Sequence, residues 1–340
     1  PALPDLLAAA CFIKGDDEIR RVGLEIGRRV VEGEMPVLAD AGEGDVHRIA
    51  AADVDRVMDA CFQCKLCEVQ CPYTPRDKHE WQLDFPALVH RYKAVRHRQR
   101  GSALRDRLLG DPDQAGKMAR LSLGMANLAN RMAPARWLME KVTGIHRDKL
   151  LPDFAAEPFD AWAERSGFVK PEVGGEVVLF QTCFVQHNEP GLGRDVLEVL
   201  RANGVDARVV KGLACCGMPA WEHGDLAALR RQARLDLDLL LPYVDKGAKI
   251  LAVNPTCSMM MRREWPRLLD GEDRARAERL APAVMDPSEF LWSIRDQARF
   301  NTDFKSTPAG PVAYHAPCHL RAQAVGFKGR DLLRQIPAVQ

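Results

Sequence analysis

Four apolar stretches in the second half of the chain end in the same way, and that ending limits the folds open to it. The segments GGEVVLFQTC (174–183), DARVVKGLACCG (206–217), AKILAVNPTC (248–257) and PVAYHAPC (311–318) each read as a short strand running into cysteine. Between the first two lies EPGLGRDVLEVLRANG (189–204), and between the second and third DLAALRRQARLDLDLLLPYV (225–244). Both carry helical periodicity, and the former closes on Gly204. Strands alternating with helices predict a parallel sheet built from βαβ units. In such sheets ligands gather beyond the carboxyl ends of the strands. Helix N-termini there favour thiolates and anionic groups. Cys183, Cys215, Cys216, Cys257 and Cys318 are therefore expected to converge on one sheet edge.

The first and last of these segments also resemble each other. VVLFQTCFVQHNEPGLGRDVLEVL (177–200) aligns with VAYHAPCHLRAQAVGFKGRDLLRQI (312–336), sharing the cysteine, a spacer, Gly-Arg-Asp and a helical leucine pattern. This order points to an internal duplication. The first copy places Cys215–Cys216 after Cys183, and the corresponding pair of the second copy is expected beyond Gln340.

A denser signal occurs earlier. CFQCKLCEVQCP (61–72) gives Cys61, Cys64, Cys67, Cys71 and Pro72, the C-x2-C-x2-C-x3-C-P spacing that holds [4Fe–4S] clusters. Zinc prefers two separated pairs rather than an overlapping triple. Cys61, Cys64 and Cys67 would share one cluster, and Cys71 would serve its neighbour. The triple then needs a fourth ligand from a second motif, expected upstream of Pro1. Cys11, the one upstream cysteine, lies in an apolar stretch and reads as a core residue.

Ten cysteines in 340 residues without a basic, apolar leader at the start of this sequence fit a metal protein better than a disulfide framework. A formal net charge of +1 implies no polyanion partner, and no apolar run is long enough to span a membrane. HRYKAVRHRQR (90–100) is the most basic stretch; it reads as a solvated helix face or a docking surface for an acidic redox partner, and no nucleic-acid module accompanies it. The Met-rich segment 117–142 reads as a packing helix pair broken near Pro134, with interfacial membrane contact as the alternative. His187, Glu189 and His223 fall near the expected cysteine edge. The fold class expected is α+β multidomain: an α-helical ferredoxin-like module (1–100), a helical connector (101–172), and an α/β parallel-sheet module (173–340).

The pattern C…CCG…NPTC with a second HAPCH unit resembles the cysteine-rich CCG domain of heterodisulfide reductase-related iron–sulfur proteins. Joined to a ferredoxin module, it is similar in layout to the C subunit of anaerobic glycerol-3-phosphate dehydrogenase and to rubrerythrin-associated iron–sulfur proteins. The resemblance implies cluster ligands at Cys61, Cys64, Cys67 and Cys71, a further set at Cys183, Cys215, Cys216 and Cys257, and a second unit opening at Cys318. Met260 stands where the family pattern ends in cysteine, which leaves the cluster type open; His315 and His319, flanking Cys318, are alternative ligands. The implied function is one-electron relay in a cytoplasmic oxidoreductase, peripheral to the inner face of the membrane where the complex is quinone-linked. The implied partner is a flavoprotein dehydrogenase or a rubrerythrin-like protein. A thiol–disulfide enzyme using Cys215 and Cys216 and a zinc-binding structural or sensing module are the alternatives.

Overall fold

The computed structural model describes residues 50–339, so Cys11 and the expectations placed on it lie outside the described residues. The chain divides at Val89/His90 into two units. In the first, helix α1 (Ala51–Ala60) leads into the cysteine loop and the short helix α2 (Leu66–Gln70). Helix α3 (Phe85–Arg100) carries the chain across that division, and its residues from His90 onward, Lys93 among them, belong to the second unit.

The second unit is mixed α/β. It runs through α4 (Leu104–Leu109), α5 (Pro112–Leu121), α6 (Met125–Arg131), α7 (Ala133–Thr143) and α8 (Phe159–Arg165) before reaching the sheet. Strand β1 (Val177–Phe180) is followed by α9 (Thr182–His187) and α10 (Pro190–Ala202), and β2 (Ala207–Val209) by α11 (Met218–His223) and α12 (Leu226–Val244). Strand β3 (Lys249–Ala252) leads into α13 (Pro255–Met259), a π-helical turn over Met260–Glu264, α14 (Trp265–Leu268) and α15 (Gly271–Leu280). Strand β4 (Val284–Met285), α16 (Pro287–Ser293), α17 (Cys318–Ala322) and α18 (Lys328–Leu333) complete the described elements.

The four strands are parallel, in the order β2-β1-β3-β4. The chain leaves β1 in one direction to make β2 and returns across it to make β3. The connection therefore reverses between β1 and β3, the place where ligands gather at the strands' carboxyl ends in sheets of this kind. Strand alternation sends Val178, Phe180, Ile250 and Ala252 into one core layer, where they meet Trp221, Leu229, Leu237 and Trp265. Val177, Leu179 and Leu251 enter the other, against Phe159, Leu197, Leu200 and Phe290. The continuous apolar runs of β1 and β3 follow from burial on both faces.

One expected strand is absent. Residues 311–317 of PVAYHAPC are not a strand, and β4 occupies the sheet position beside β3 instead. Val312 and its neighbours 311 and 313 are exposed, so their apolar character is not spent on the sheet.

Gly224 joins α11 to α12 with φ of 79°, and a Cβ there would lie 2.5 Å from the Lys93 carbonyl carbon and oxygen. Gly212 has a similar φ of 83° with nothing within 4 Å. Gly212→Ala is expected to lower stability by the left-handed backbone penalty alone, about 1–2 kcal/mol. Gly224→Ala pays the same penalty and must also displace α3 backbone, so its melting temperature is expected to fall further; equal shifts for the two would show that the contact with Lys93 yields freely.

Candidate metal centre

In the first unit, the loop through Cys61, Cys64 and Cys67 is curled by left-handed backbone at Gln63 and Lys65, both with φ of 60°. Left-handed residues set into a turn let neighbouring N–H groups face one side, a geometry suited to an anion. Although Cys67 is exposed as a residue, partial desolvation of its thiol pushes it up to about 11, helped by the charge of Cys64 and, more weakly, of Cys61. The three sulfurs are thus near enough to oppose one another's ionisation. Cys71 closes α2, its N–H donating to the Cys67 carbonyl at 2.8 Å. With the thiol two units above 9.0, its thiolate population at pH 8 falls about 100-fold below that of a free cysteine. Iodoacetamide labelling of Cys67 in metal-free protein is expected to be slowed to match, and its rate to keep climbing towards pH 11. A rate that levels near pH 9 would contradict the crowding of the three sulfurs.

In the second unit, four of the five sequence-expected cysteines meet at the carboxyl edge of the sheet, carried there by three strand ends. Cys183 follows β1 in the first turn of α9, Cys215 and Cys216 lie between β2 and α11, and Cys257 follows β3 in the first turn of α13. Thr182, a β-branched residue held at φ of 52°, turns the chain sharply between β1 and Cys183. Gly217, with φ of 85°, does the same after the cysteine pair.

The sulfurs form a row. Cys183 hydrogen-bonds Cys215, Cys215 bonds Cys216, and Cys216 bonds Cys257. Cys215, Cys216 and Cys257 are buried and none of the described cysteines is in a disulfide. The Cys183 thiol is raised far above its ordinary range by its hydrogen bond to Cys215 and then by burial. For Cys215 and Cys216 the bond from the preceding cysteine lowers the value, but the bond to the next cysteine and burial carry it well up. Cys257 accepts from Cys216, which lowers it, yet burial and the charges of the other thiols leave it raised. Backbone N–H groups at Phe184, Gly217 and Met218 favour the thiolates of Cys183, Cys215 and Cys216, without reversing the net shift. Four thiolates cannot coexist here without a cation.

Asp113, on α5, buttresses the row. Its Oδ2 accepts the Cys215 N–H at 2.7 Å and its Oδ1 meets His187 Nε2 at 3.0 Å. Arg120 donates to His187 Nδ1 at 2.8 Å, and Gly116 lets the His187 ring approach, since a Cβ there would lie 2.4 Å from His187 Cγ. Trp265 Nε1 donates to the Cys216 carbonyl at 3.0 Å. The expected neighbour Glu189 instead occupies the N-cap position of α10, and His223 lies 3.7 Å from Asp106. Neither Asp113 nor Trp265 is marked in the sequence: Asp113 sits 102 positions before its partner Cys215, as an ordinary acid in the first turn of α5.

Cys318 opens α17, which packs on α13, and is not among the thiols that bond one another in the row. His319 is buried with its Nδ1 2.9 Å from Thr256 Oγ1, beside Cys257, while His315 is exposed. Met260 is fully buried. Among the described residues no three His, Cys, Asp or Glu side chains surround one point closely enough to hold a single metal ion. The donors are strung out instead.

Two strands flanking a connection reversal, with part-buried Cys183 after one and buried Cys257 after the other, define a cysteine-rich α/β domain. Residues 177–262 match the family model described as the cysteine-rich domain CCG. The chain is similar to the C subunit of the anaerobic glycerol-3-phosphate dehydrogenase of Escherichia coli strain K12, with 27% identity over 74% of this chain and 62% of the relative. It is also similar to the B subunit of the fumarate reductase (CoM/CoB) of Methanothermobacter marburgensis, at 30% identity over 49% of this chain and 30% of that one. Lactate utilization protein A 2 of Bacillus cereus is 25% identical over 46% of this chain and 62% of its own length. The chain thus spans about 62% of the length of the dehydrogenase polypeptide it matches. No solved structure matches it significantly.

Proposed function

We propose that this chain is an iron–sulfur electron-transfer subunit of an oxidoreductase. The observation that carries the reading is the row of four contacting, largely buried thiols at the strand ends. A soft, all-sulfur donor set suits iron–sulfur clusters or zinc. A thiol–disulfide enzyme needs a lowered thiol pKa, and these are raised.

Cys61, Cys64 and Cys67 would hold one [4Fe–4S] cluster and Cys71 would ligate its neighbour, within a helical ferredoxin-type module over 1–100. Residues 101–172 would connect it to the CCG module, 173–340, where Cys183, Cys215, Cys216 and Cys257 hold a further cluster. Such clusters, when bound, accept and release single electrons. The protein's share is to exclude water from the thiols, fix them through Thr182 and Gly217, and hold the Cys215 backbone on Asp113. Cys318 would begin a second CCG unit: in both sequence copies the cysteine opens or enters a short helix and Gly-Arg-Asp falls in the next, at Gly193–Asp195 and Gly329–Asp331.

The dehydrogenase and reductase polypeptides among its relatives support a redox enzyme as partner, either a flavoprotein dehydrogenase or a rubrerythrin-like protein. No described helix is long and apolar enough to cross a membrane. Peripheral contact on the cytoplasmic side, in a quinone-linked complex, is supported by the exposed Met118, Leu121, Met125, Leu128 and Leu138 of α5–α7.

Iron, acid-labile sulfide and electron paramagnetic resonance of the anaerobically purified natural protein test the reading. Expected are roughly eight irons from two [4Fe–4S] clusters together with additional iron from the CCG site. Zinc in place of iron, or iron fully accounted for by the Cys61–Cys71 region, would overturn the CCG-cluster assignment.

A further inference from the structure

Helix α12 turns Leu229, Ala233, Leu237, Leu240 and Leu241 into the core, and the same face carries one acid, Asp236, with no exposed surface. Asp236 Oδ1 accepts the Ala214 N–H at 2.7 Å, one residue before the cysteine pair. Its Oδ2 is buried with no hydrogen-bond partner among the described residues. The Asp236 charge reaches the Cys257 thiol, and the Asp113 charge reaches Asp236.

Neither form of this carboxyl is satisfied by its surroundings. Ionised, it is a buried anion among acidic neighbours, with one backbone donor for two oxygens. Neutral, it holds a hydroxyl with nothing to donate to. A structural acid in an apolar layer would have its second oxygen capped; this one is capped on the side of Ala214 alone. A metal cation beside the thiol row supplies the positive partner that the ionised form lacks and so makes that form the stable one, and iron accepts carboxylate oxygen as well as thiolate sulfur.

We infer that Asp236 is an oxygen ligand, through Oδ2, of the metal centre held by Cys183, Cys215, Cys216 and Cys257. The inference rests on the iron–sulfur reading of that row and adds to it a non-cysteine ligand from a different helix.

Asp236→Asn tests it in the full chain purified anaerobically. Asparagine keeps the side-chain volume and an oxygen for the Ala214 N–H while removing the anionic ligand. The variant is expected to show a changed resonance signature for the CCG centre and at least tenfold faster loss of its iron to a chelator. The signal of the Cys61–Cys71 region should be unchanged. After metal removal the order reverses: metal-free Asp236→Asn should melt at or above the temperature of metal-free wild type, because an uncompensated buried acid has gone. Asp236→Ala should behave alike at the metal, and if it fails to fold the asparagine variant carries the test. Unchanged signature and chelator rate in Asp236→Asn would overturn the ligand role even with the cluster present. Loss of all iron in the Cys61→Ser variant would overturn the iron–sulfur reading of the row, and the ligand role with it.

Discussion

Cys216→Ser is expected to strip the CCG centre of its iron while leaving the cluster signal of the Cys61–Cys71 region intact. Cys216 is 2% exposed and stands at the middle of the row, bonding Cys215 on one side and Cys257 on the other. Serine replaces a soft, ionisable sulfur with a hard oxygen that stays protonated, so the donor set is broken where it is most central. Iron at this centre should fall more than tenfold, read as iron and sulfide per chain together with the loss of one resonance signal. The fold should survive: a hydroxyl in place of a thiol, if its bonding is left incomplete, costs about 1–3 kcal/mol. Cys318→Ser is the control. Its thiol lies outside the chain of sulfur contacts, and its replacement should leave the iron of this centre in place. Equal loss in both variants would mean that Cys318 joins the row when metal is bound.

The largest stability effect is expected at Trp265. Its ring is fully buried against the Cys216 side of the core, and its Nε1 donates to the Cys216 carbonyl. Trp265→Ala opens a large cavity and should destabilise metal-free protein by about 3–5 kcal/mol in chemical denaturation. Trp265→Phe fills most of that space but leaves the carbonyl without its donor, for a loss of about 1–3 kcal/mol. The two variants should also differ at the metal. Phenylalanine preserves packing, so a faster release of iron from Trp265→Phe would trace to the freed Cys216 backbone. If both variants release iron at the wild-type rate, the tryptophan supports the core alone.

Much of the sheet is legible in the sequence because its information is local. β1, β2 and β3 each fall within the apolar runs that precede Cys183, Cys215 and Cys257, and the helix over 226–244 follows from its period. The run PVAYHAPC carries the same local signal and forms no strand, since a strand exists only where a neighbour pairs with it. β4, two residues long at Val284–Met285, gives no periodic signal, and its place beside β3 is a pairing fact. The cysteines can be named from spacing, but their buttresses cannot. Asp113 lies far from Cys215 in the chain, and its ordinary place in the first turn of α5 conceals that its carboxylate reaches the site. Asp236 does leave a trace: an acid at the same helical register as Leu229, Ala233 and Leu240.

Residue type and short separations along the chain are enough to give the donor atoms, the spacing of Cys61 to Cys71, and the repeated strand-to-cysteine ending. That three separate strand ends bring four sulfurs into one row, with Asp113, Trp265 and Asp236 around it, is a property of the assembled fold. The reversal between β1 and β3 is the physical cause. It sets segments tens of residues apart side by side at buried strand ends, where each thiol's ionisation depends on the next.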